Sequence, residues 1–364
     1  MNSVPLHQEM TRTKKNIRSF SLDEIKSALT EMGEKSFRAK QIYEWLWQKN
    51  VGSFEEMSNL GKSLREQLDE HFLIERIELK DKQISSDKTI KCAFTTYDKR
   101  VVEGVLIPTR SRTTACISSQ VGCSLACKFC ATGRLKLMRN LTAGEMVDQV
   151  AYLKNEAESR YNTPLTNIVY MGMGEPLLNY KEMLRSVELI SEGLGMSPKR
   201  ITVSTAGIAK MIKKLGDDKV KFHLALSLHA ANDKKRDQIM EINESNNLEA
   251  LRESLVYFHE RTGTRVTFEY IIFKDFNDGI EDAKALADFA KCVPCKINII
   301  EYNPIDDGEF QQADEKKVDD FAYFLETKNL IVNVRRSRGK DIDAACGQLA
   351  NKNKAIKKDE RALK

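Results

Sequence analysis

Three cysteines lie within eight positions of the segment GCSLACKFCATG, residues 122–133. Cys123, Cys127 and Cys130 have the spacing C-x3-C-x2-C, which is too tight for a disulfide framework. A closed structural zinc site needs four ligands, and this segment offers three. Three thiolates can instead hold three irons of a [4Fe-4S] cluster and leave the fourth iron open to a ligand. The alternatives are a zinc site completed from elsewhere in the chain, or three buried cysteines without a metal.

The other five of the eight cysteines admit simpler interpretations. Cys292 and Cys295 form a C-x-x-C pair that could be redox-active or half of a zinc site. No second pair stands at a suitable spacing, which favours a structural role. Cys92 and Cys116 lie in apolar, strand-like segments that are typical of a core. Considered by itself, Cys346 would be interpreted as a small packing residue, although cations close by in the sequence would favour its thiolate. These cations are Arg335, Arg336, Arg338 and Lys340.

The composition is that of an ordinary globular protein. With 364 residues, of which 41% are hydrophobic, the chain can form one large and one smaller domain. We find neither an apolar run of about eighteen residues nor a charged-then-apolar leader. We therefore expect a soluble, cytoplasmic protein without membrane contacts, whose thiols stay reduced. The net charge of +5 is concentrated in residues 1–18 and 351–364, which could bind a polyanion such as RNA or be solvated tails.

The first hundred residues predict a small accessory domain. From Ser21 to about Leu73 the hydrophobic period is helical, and Ser21 with Glu24 makes a capping box. Residues 74–108 are β-rich and would connect this domain to the next. We expect residues 1–100 to form the domain and to contact RNA, although aromatic residues at helical spacing are also typical of a core. The candidate contacts are Phe37, Arg38, Lys40, Trp45 and Trp47.

Beyond residue 112, six short apolar segments alternate with helical ones, which predicts a parallel sheet. Six units are about two short of a closed eight-stranded barrel. We therefore expect an α/β fold, a partial (β/α)6 TIM-like barrel over residues 101–343, which residues 331–336 could extend. Residues 344–364 would form a C-terminal segment carrying Cys346. The six apolar segments are TACISSQV, NIVYMGMG, RITVSTAG, FHLALSLHA, VTFEYIIF and CKINIIEYN.

Unusually polar residues stand at the carboxyl ends of these predicted strands, where such sheets carry their sites. The clustered cysteines follow the first strand. One site could contain them all, although a histidine at a strand end is as often a hydrogen-bonded structural residue. The later strands end on Gly174 and Glu175, Ser204 and Thr205, Ser227 and His229, and Asn303.

The cysteine loop, with Phe129 before its third cysteine, resembles the signature of the radical S-adenosylmethionine (SAM) superfamily. Five segments narrow the resemblance to the RlmN family of RNA adenine C2-methyltransferases, over roughly residues 20–350. The related Cfr group methylates C8 of the same ribosomal adenine. Val121 and the segment GEPLLN at residues 174–179 are similar to the C2 enzymes. The five segments are ISSQVGCSLACKFCATG, MGMGEPLLN, STAG, SLHAAND and DIDAACGQLA.

The resemblance implies roles for the cysteines outside the cluster loop. C2 of adenine is too electron-poor to attack the methyl group of SAM, so a radical must do the chemistry, generated by the cofactors. Cys346 would take a methyl group from one SAM. The radical from a second SAM would remove a hydrogen atom from that methyl group, and its carbon would add to C2.

The resemblance also implies how this covalent protein–RNA species is resolved. Glu103 would remove the C2 proton, and Cys116 would attack the sulfur of Cys346, forming a transient disulfide and freeing the base. Taken alone, Glu103 could instead point to solvent from an edge strand. Gly174 and Glu175 would contact the SAM amino group. The residues around its sugar and methionine parts would be Ser204, Ser227, Leu228, His229 and Asn303.

The substrates implied by the resemblance are an adenine in the peptidyl transferase region of 23S ribosomal RNA and the adenine 3′ of the anticodon in certain transfer RNAs. The target base must leave its stack to be modified. An electron donor such as flavodoxin and a monomeric enzyme are expected. A Cfr-like C8 methyltransferase would share every catalytic residue and stays open as an alternative. A noncatalytic iron-sulfur or zinc RNA-binding protein is a second, in which Glu103, Cys116 and Cys346 would be dispensable.

Overall fold

A computed structural model describes residues 14–352 of the chain. The chain divides into two compact units, Met1–Arg76 and Ile77–Lys364. Most of the two basic ends singled out above falls in residues 1–13 and 353–364, outside the described residues. In the described part, no helix combines the length and apolar character that a membrane span requires.

The first unit is helical, as predicted. Ser21 and Glu24 form the expected capping box at the start of its first helix. Among the aromatic candidates for RNA contact, Trp47 is buried in the core, whereas Phe37 is exposed. The helices are α1 (Leu22–Glu31), α2 (Arg38–Trp47) and α3 (Lys62–His71), and two short strands, β1 (Lys15–Asn16) and β2 (Phe72–Leu73), pair in parallel.

The second unit is built on one ten-stranded sheet within the described residues. Its first four strands are β3 (Glu78–Ile84), β4 (Ile90–Thr95), β5 (Val101–Pro108) and β6 (Thr113–Cys116). A separate two-stranded pair follows, β7 (Gln120–Val121) and β8 (Arg139–Asn140). The remaining strands are β9 (Asn167–Tyr170), β10 (Ile201–Thr205), β11 (His223–Ser227), β12 (Val266–Ile272), β13 (Cys295–Glu301) and β14 (Val332–Arg335).

The predicted βα units are confirmed. The strands run in the order β14-β13-β12-β11-β10-β9-β6-β5-β4-β3, and every neighbour pair from β6 to β14 is parallel. β14 adds a parallel strand where residues 331–336 were expected to extend the sheet. Both β14 and β3 are edges, so the barrel is open. The helices are α4 (Ala143–Tyr161), α5 (Tyr180–Leu194), α6 (Ala209–Asp217), α7 (Asp233–Ile239), α8 (Leu248–Thr262), α9 (Ile280–Ala290) and α10 (Glu315–Thr327).

The antiparallel strands belong to the large sheet, which differs from our expectation for residues 1–100. Strand β5 pairs with β6, with Val105 opposite Cys116, and with β4, with Val105 opposite Lys91. Continuous backbone hydrogen bonding thus carries the sheet from the parallel strands through β5 and β4 to β3. The division between the units falls at Arg76, before these strands rather than after them.

The segment after β14 connects the antiparallel strands to the cysteine loop. At one end, the Gly339 amide donates to the Asp87 carboxylate at 3.0 Å. Farther along, the carbonyls of Gly347 and Leu349 accept hydrogen bonds from the Ala131 amide at 2.7 Å and the Thr132 hydroxyl at 2.6 Å. Cys346 is therefore held beside the cysteine loop although it lies more than two hundred positions away in the sequence.

Candidate active site: two cavities that share Cys346

The cysteine loop owes its shape to close backbone contacts. Gly122 has a φ of +78°, and a β-carbon there would lie 2.1 Å from the Lys136 carbonyl oxygen. A β-carbon on Gly133 would lie 2.9 Å from the Cys127 carbonyl oxygen. Only glycine fits positions with such an approach. The loop is thereby folded back so that its three cysteines face one cavity.

This cavity, the cysteine-loop cavity, is lined by most of the residues predicted at the strand ends. The loops after β7, β9, β10 and β11 reach it, as expected for a parallel sheet. Cys346 of the C-terminal segment completes the wall. The predicted residues on it are Cys123, Cys127, Cys130, Gly174, Glu175, Ser204, Thr205, Ser227, His229 and Cys346.

A second cavity, the Cys116 cavity, adjoins the first. It is lined by Val105, Cys116 and Arg335, and it shares Cys130 and Cys346 with the cysteine-loop cavity. The side chain of Cys346 is accessible to solvent, whereas Cys116 is buried. Cys346 is thus the cysteine outside the cluster loop that borders both spaces.

Glu175 is a buried carboxylate held by backbone amides. Its two oxygens accept hydrogen bonds from the Leu177 amide at 2.9 Å and the Ala206 amide at 2.7 Å. Burial raises the pKa of the carboxyl to about 7, although these hydrogen bonds oppose the shift. The neighbouring Gly174 has a φ of +98°, and a β-carbon there would lie 2.4 Å from Gln120. A positive group in the cavity would favour the ionised form of Glu175.

His229 lines the cavity as a neutral, fixed ring. It has a φ of +55°, and its Nδ1 accepts a hydrogen bond from the Ile271 amide at 3.1 Å. The ring packs edge-on against Phe129, with centroids 4.7 Å apart. Burial lowers the pKa of the imidazole to about 3, so Nε2 carries the proton and is the remaining donor.

Three predicted site residues do not line either cavity. Leu228 is fully buried, and its amide donates to the Glu269 carbonyl at 3.0 Å. The Asn303 amide group donates to the Cys346 carbonyl at 3.3 Å, so Asn303 supports the Cys346 loop in this structure. Glu103 lies below the C-terminal segment and is absent from both cavity walls.

Glu103 is fully buried on β5, so the alternative that it points to solvent is wrong. One of its oxygens, Oε2, accepts hydrogen bonds from the amides of Ala350 at 2.9 Å and Asn351 at 3.1 Å. The other, Oε1, has no hydrogen-bond partner among the described residues and lies 3.8 Å from the Lys91 ammonium. Burial raises the pKa of Glu103, and Lys91 opposes the shift. The carboxylate is thus kept out of water.

The thiols of Cys116 and Cys346 influence each other and share one cation. Burial raises the pKa of Cys116 to about 12, Cys346 adds to the shift, and Arg335 opposes it. Burial of the sulfur also raises the pKa of Cys346, although the residue as a whole is exposed, and Arg335 opposes this shift. Arg335 in turn lies 3.6 Å from the Glu269 carboxylate. Arg336 and Arg338 also line the Cys116 cavity, but Arg335 is the one whose charge acts on both sulfurs.

The other three cations that we expected to favour the Cys346 thiolate are occupied elsewhere. Arg336 and Lys340 pair with the Glu301 carboxylate at 2.7 and 3.0 Å. Arg338 pairs with Asp87 at 3.1 Å. Of the four cations, Arg335 is the one whose charge acts on the Cys346 sulfur. The prediction from sequence proximity therefore overestimated the positive field there.

One arginine that was not predicted as a site residue, Arg236, connects the loops of the cavity wall by hydrogen bonds. Arg236 on α7 is fully buried. Its guanidinium donates to the carbonyls of Ala206 at 2.6 Å and Leu228 at 3.1 Å, and to the Asn243 side chain at 2.6 Å. These bonds tie the loops after β10 and β11 together. The segment NDKKRDQ reads as a solvated helix, and no signal in it separates Arg236 from its charged neighbours.

Between residues 14 and 352, no three His, Cys, Asp or Glu side chains are arranged around one point as ligands of a single metal ion. A cluster with several irons binds each thiolate at a different iron and does not require that convergence. The walls of the cysteine-loop cavity thus combine three thiols for separate irons with a buried carboxylate and the hydroxyl groups of Ser204, Thr205 and Ser227 for an organic ligand.

Two family profiles match the chain. The Ribosomal RNA large subunit methyltransferase N-terminal domain matches residues 15–74, and the Radical SAM superfamily matches residues 117–290. A probable dual-specificity RNA methyltransferase RlmN from Cytophaga hutchinsonii is 58% identical over 341 residues, covering 93% of each chain. The protein with the same description from Bacillus velezensis is 40% identical over 354 residues, covering 97% of each.

A solved structure agrees with these sequence matches. The crystal structure of a radical SAM methyltransferase from Sphaerobacter thermophilus superimposes with a TM-score of 0.86 at 37% identity, covering 92% of this chain and 99% of that one. Sequence identity and fold therefore agree over nearly the whole length. The chain belongs to the RlmN family of the radical SAM superfamily.

Proposed function

We propose that the chain methylates C2 of an adenine in 23S ribosomal RNA and of the adenine 3′ of the anticodon in transfer RNA, by a radical SAM mechanism. The observation that carries the proposal is the position of Cys346 between two cavities, one with the cysteine loop and one with Cys116. A methyl group bound to its sulfur would border both. Family membership favours C2 over the C8 alternative.

The cofactors of the superfamily are a [4Fe-4S] cluster and SAM, and the cysteine-loop cavity fits both. Cys123, Cys127 and Cys130 would hold three irons. The buried Glu175 carboxylate suits an ammonium group, and Gly174 beside it allows the close approach of Gln120 that a β-carbon would prevent. When bound, the cluster and SAM supply a radical that removes a hydrogen atom from a methyl group.

The remaining cofactor contacts follow from the cavity wall. The hydroxyls of Ser204 and Ser227 lie 3.3 Å apart and can donate to ligand oxygens together. His229 presents its Nε2–H, because Nδ1 is occupied by the Ile271 amide. Asn303 and Leu228 would act by holding the loops around the ligand, since neither side chain lines the cavity.

Cys346 is proposed to carry the methyl group. As a thiolate it would attack the electrophilic methyl carbon of one SAM, with the new sulfur–methyl bond forming as the methyl–sulfonium bond breaks and S-adenosylhomocysteine leaves. Arg335 stabilises the anionic sulfur from the wall of the Cys116 cavity. After hydrogen removal the carbon joins C2 of the adenine, and the protein is covalently bound to the RNA.

Glu103 and Cys116 are proposed to resolve that covalent species. Glu103 would accept the C2 proton, and the adduct would also give up its unpaired electron, for which the cluster is the available one-electron acceptor; loss of both restores the aromatic ring. The Cys116 thiolate then attacks the Cys346 sulfur and breaks its bond to carbon, forming a disulfide, and the released carbon takes a proton to become the methyl group. An external thiol reduces the disulfide before the next turnover.

The partners and the cellular location are proposed from the family to which the chain belongs. Ribosomal and transfer RNA are the substrates, an electron donor such as flavodoxin supplies the reducing electron, and the enzyme acts as a monomer in the cytoplasm. The phosphates would be contacted by cations, including those in the basic ends that lie outside the described residues.

The product identifies the reaction. The protein is reconstituted anaerobically with iron and sulfide and supplied with SAM, a reductant and a ribosomal RNA fragment, and the nucleosides are separated by mass spectrometry against synthetic standards. We expect 2-methyladenosine from the wild type and none from Cys346→Ala, with Cys295→Ala as a control that keeps activity. 8-Methyladenosine would move the chain to the C8 group, and full activity of Cys346→Ala would contradict the thiol mechanism.

A further inference from the structure

A buried lysine lies next to the proposed base. Lys91 on β4 and Cys116 on β6 are both opposite Val105 on the central strand β5. Glu103 is two residues before Val105, so its side chain lies on the same face of the sheet. One face of three strands therefore carries a lysine, a glutamate and a cysteine, and the lysine has no place in the mechanism above.

The lysine is too buried to be a surface ion pair. The side chains of Lys91 and Glu103 are 2% and 0% exposed. A charge at such depth is found when it is paired or otherwise compensated. The Lys91 ammonium lies 3.8 Å from Glu103 Oε1. It also donates a hydrogen bond to the Asp343 carbonyl, which is long at 3.4 Å. Among the described residues, the main partner of the ammonium is thus the Glu103 carboxylate.

Both backbone hydrogen bonds of Glu103 go to one oxygen, Oε2. They come from the C-terminal segment, at Ala350 and Asn351, whereas Oε1 faces Lys91. An adenine that approaches Oε2 has to displace the two amides. Lys91 would stay, since β4 is hydrogen-bonded to a strand on each side and is not part of a connecting segment.

We propose that Lys91 is a positioning residue for the reaction, whose buried ammonium holds the Glu103 carboxylate as an anion when the adenine displaces the C-terminal segment. The inference rests on the proposed function, because it takes Glu103 to be the base. Lys91 itself does not touch the reacting atoms. It acts through the charge and the orientation of Glu103.

Other charged groups that face Glu103 do not replace Lys91. Asp343, on the C-terminal segment, disfavours the ionised carboxylate, and it is partly compensated by Lys352, 3.8 Å away. Cys116 on β6 is neutral as a thiol. Because burial already raises the pKa of Glu103, loss of Lys91 raises it further, and less of the base is ionised at neutral pH.

The test compares Lys91→Met with Lys91→Arg, which keeps the charge. Lys82→Met is the matched control, because Lys82 on β3 pairs with a different glutamate, Glu156, at 2.8 Å and is not among the charged groups that shift the pKa of Glu103. Three quantities are measured at several pH values below the lowest melting temperature of the set. They are the rate of 2-methyladenosine formation, the amount of covalent protein–RNA species on denaturing gels, and the amount of 5′-deoxyadenosine.

For Lys91→Met we expect methylation at neutral pH to fall about tenfold or more, since an opposite charge at this distance lowers a carboxylate pKa by about one unit or more. The rise of the rate with pH moves to higher pH, the covalent species accumulates, and 5′-deoxyadenosine formation persists. Lys91→Arg should recover most of the rate, and Lys82→Met should resemble the wild type.

Two results would overturn the inference. An unchanged pH profile in Lys91→Met would mean that the charge does not act on the base. Loss of the covalent species and of SAM cleavage together would place Lys91 in the fold or in an earlier step. Failure of the proposed function can be distinguished from both results, because in that case the wild-type protein itself would form no 2-methyladenosine.

Discussion

The parallel and antiparallel parts of the sheet carry chemistry in different ways. In the parallel part, from β6 to β14, the reactive side chains follow the strands and lie in loops around the cysteine-loop cavity. In the antiparallel part, from β3 to the shared strand β6, Lys91, Glu103 and Cys116 lie within the strands and are buried. Loops can reshape around a cofactor, whereas a strand face holds a buried side chain in a fixed position. In the proposed reaction, this difference separates radical generation from the proton and thiol steps.

A variant of the cysteine loop tests the parallel part and should have the largest effect. In Cys127→Ala one of three proposed iron ligands is lost. We expect cluster content to fall and both SAM cleavage and methylation to drop by about a thousandfold or more. The measurements are iron and sulfide content and 5′-deoxyadenosine. Cys292→Ala, a half-buried thiol away from both cavities, should keep full activity.

Cys116→Ala tests the antiparallel part. It should reduce released 2-methyladenosine by about a hundredfold or more, while SAM cleavage continues and the covalent protein–RNA species accumulates. Gel analysis with labelled RNA measures this species. If Cys116→Ala and Cys127→Ala failed at the same step, the two parts of the sheet would not divide the reaction as we describe.

Arg236→Met removes a support of the parallel part without touching a proposed reacting atom. Three acceptors lose their buried donor, so the free energy of unfolding should fall by about 2–4 kcal/mol, and SAM should bind more weakly. Urea denaturation and equilibrium dialysis measure the two effects. Arg261→Met, at an exposed position on α8, is the control and should change neither quantity.

Gly174→Ala should have the smallest effect of the set on the reaction, which it affects through SAM affinity. Its β-carbon would meet Gln120 at 2.4 Å, so the wall must shift, and the dissociation constant of SAM should rise about tenfold, or about 1.4 kcal/mol. Gly263→Ala is the control, because its φ is also positive at +65° but nothing lies within 4 Å. It should cost about 1 kcal/mol of stability without altering SAM binding.

The same contrast explains what could be predicted from the sequence. The loop residues of the parallel part stand directly after apolar strands, so their spacing and polarity reveal both the strand and the site. The antiparallel strands contain single polar residues such as Lys91 and Glu103, which in a sequence look like the solvent side of an edge strand. Lys91 and Glu103 are buried because the C-terminal segment covers them. No local sequence pattern predicts the path of that segment.

Long-range packing also determines which cations lie next to the Cys346 sulfur. Arg335 is the last residue of β14. Arg336 and Arg338 follow that strand and pair instead with Glu301 and Asp87 from other parts of the chain. Arg236 stands in a charged helix and is nonetheless fully buried. Residue type and spacing therefore identified the cysteine site, while the charges that support it required the fold.

The central claim is that Cys346 passes the methyl carbon from one cavity to the other. Its most direct test uses SAM with a trideuterated methyl group, followed by mass spectrometry of the Cys346 peptide and of the modified adenosine. We predict a trideuteromethyl group on Cys346 before RNA is added, and a product methyl group with two deuterium atoms, since one is removed by the radical. An unlabelled Cys346, or a product that keeps all three deuterium atoms, would contradict the account.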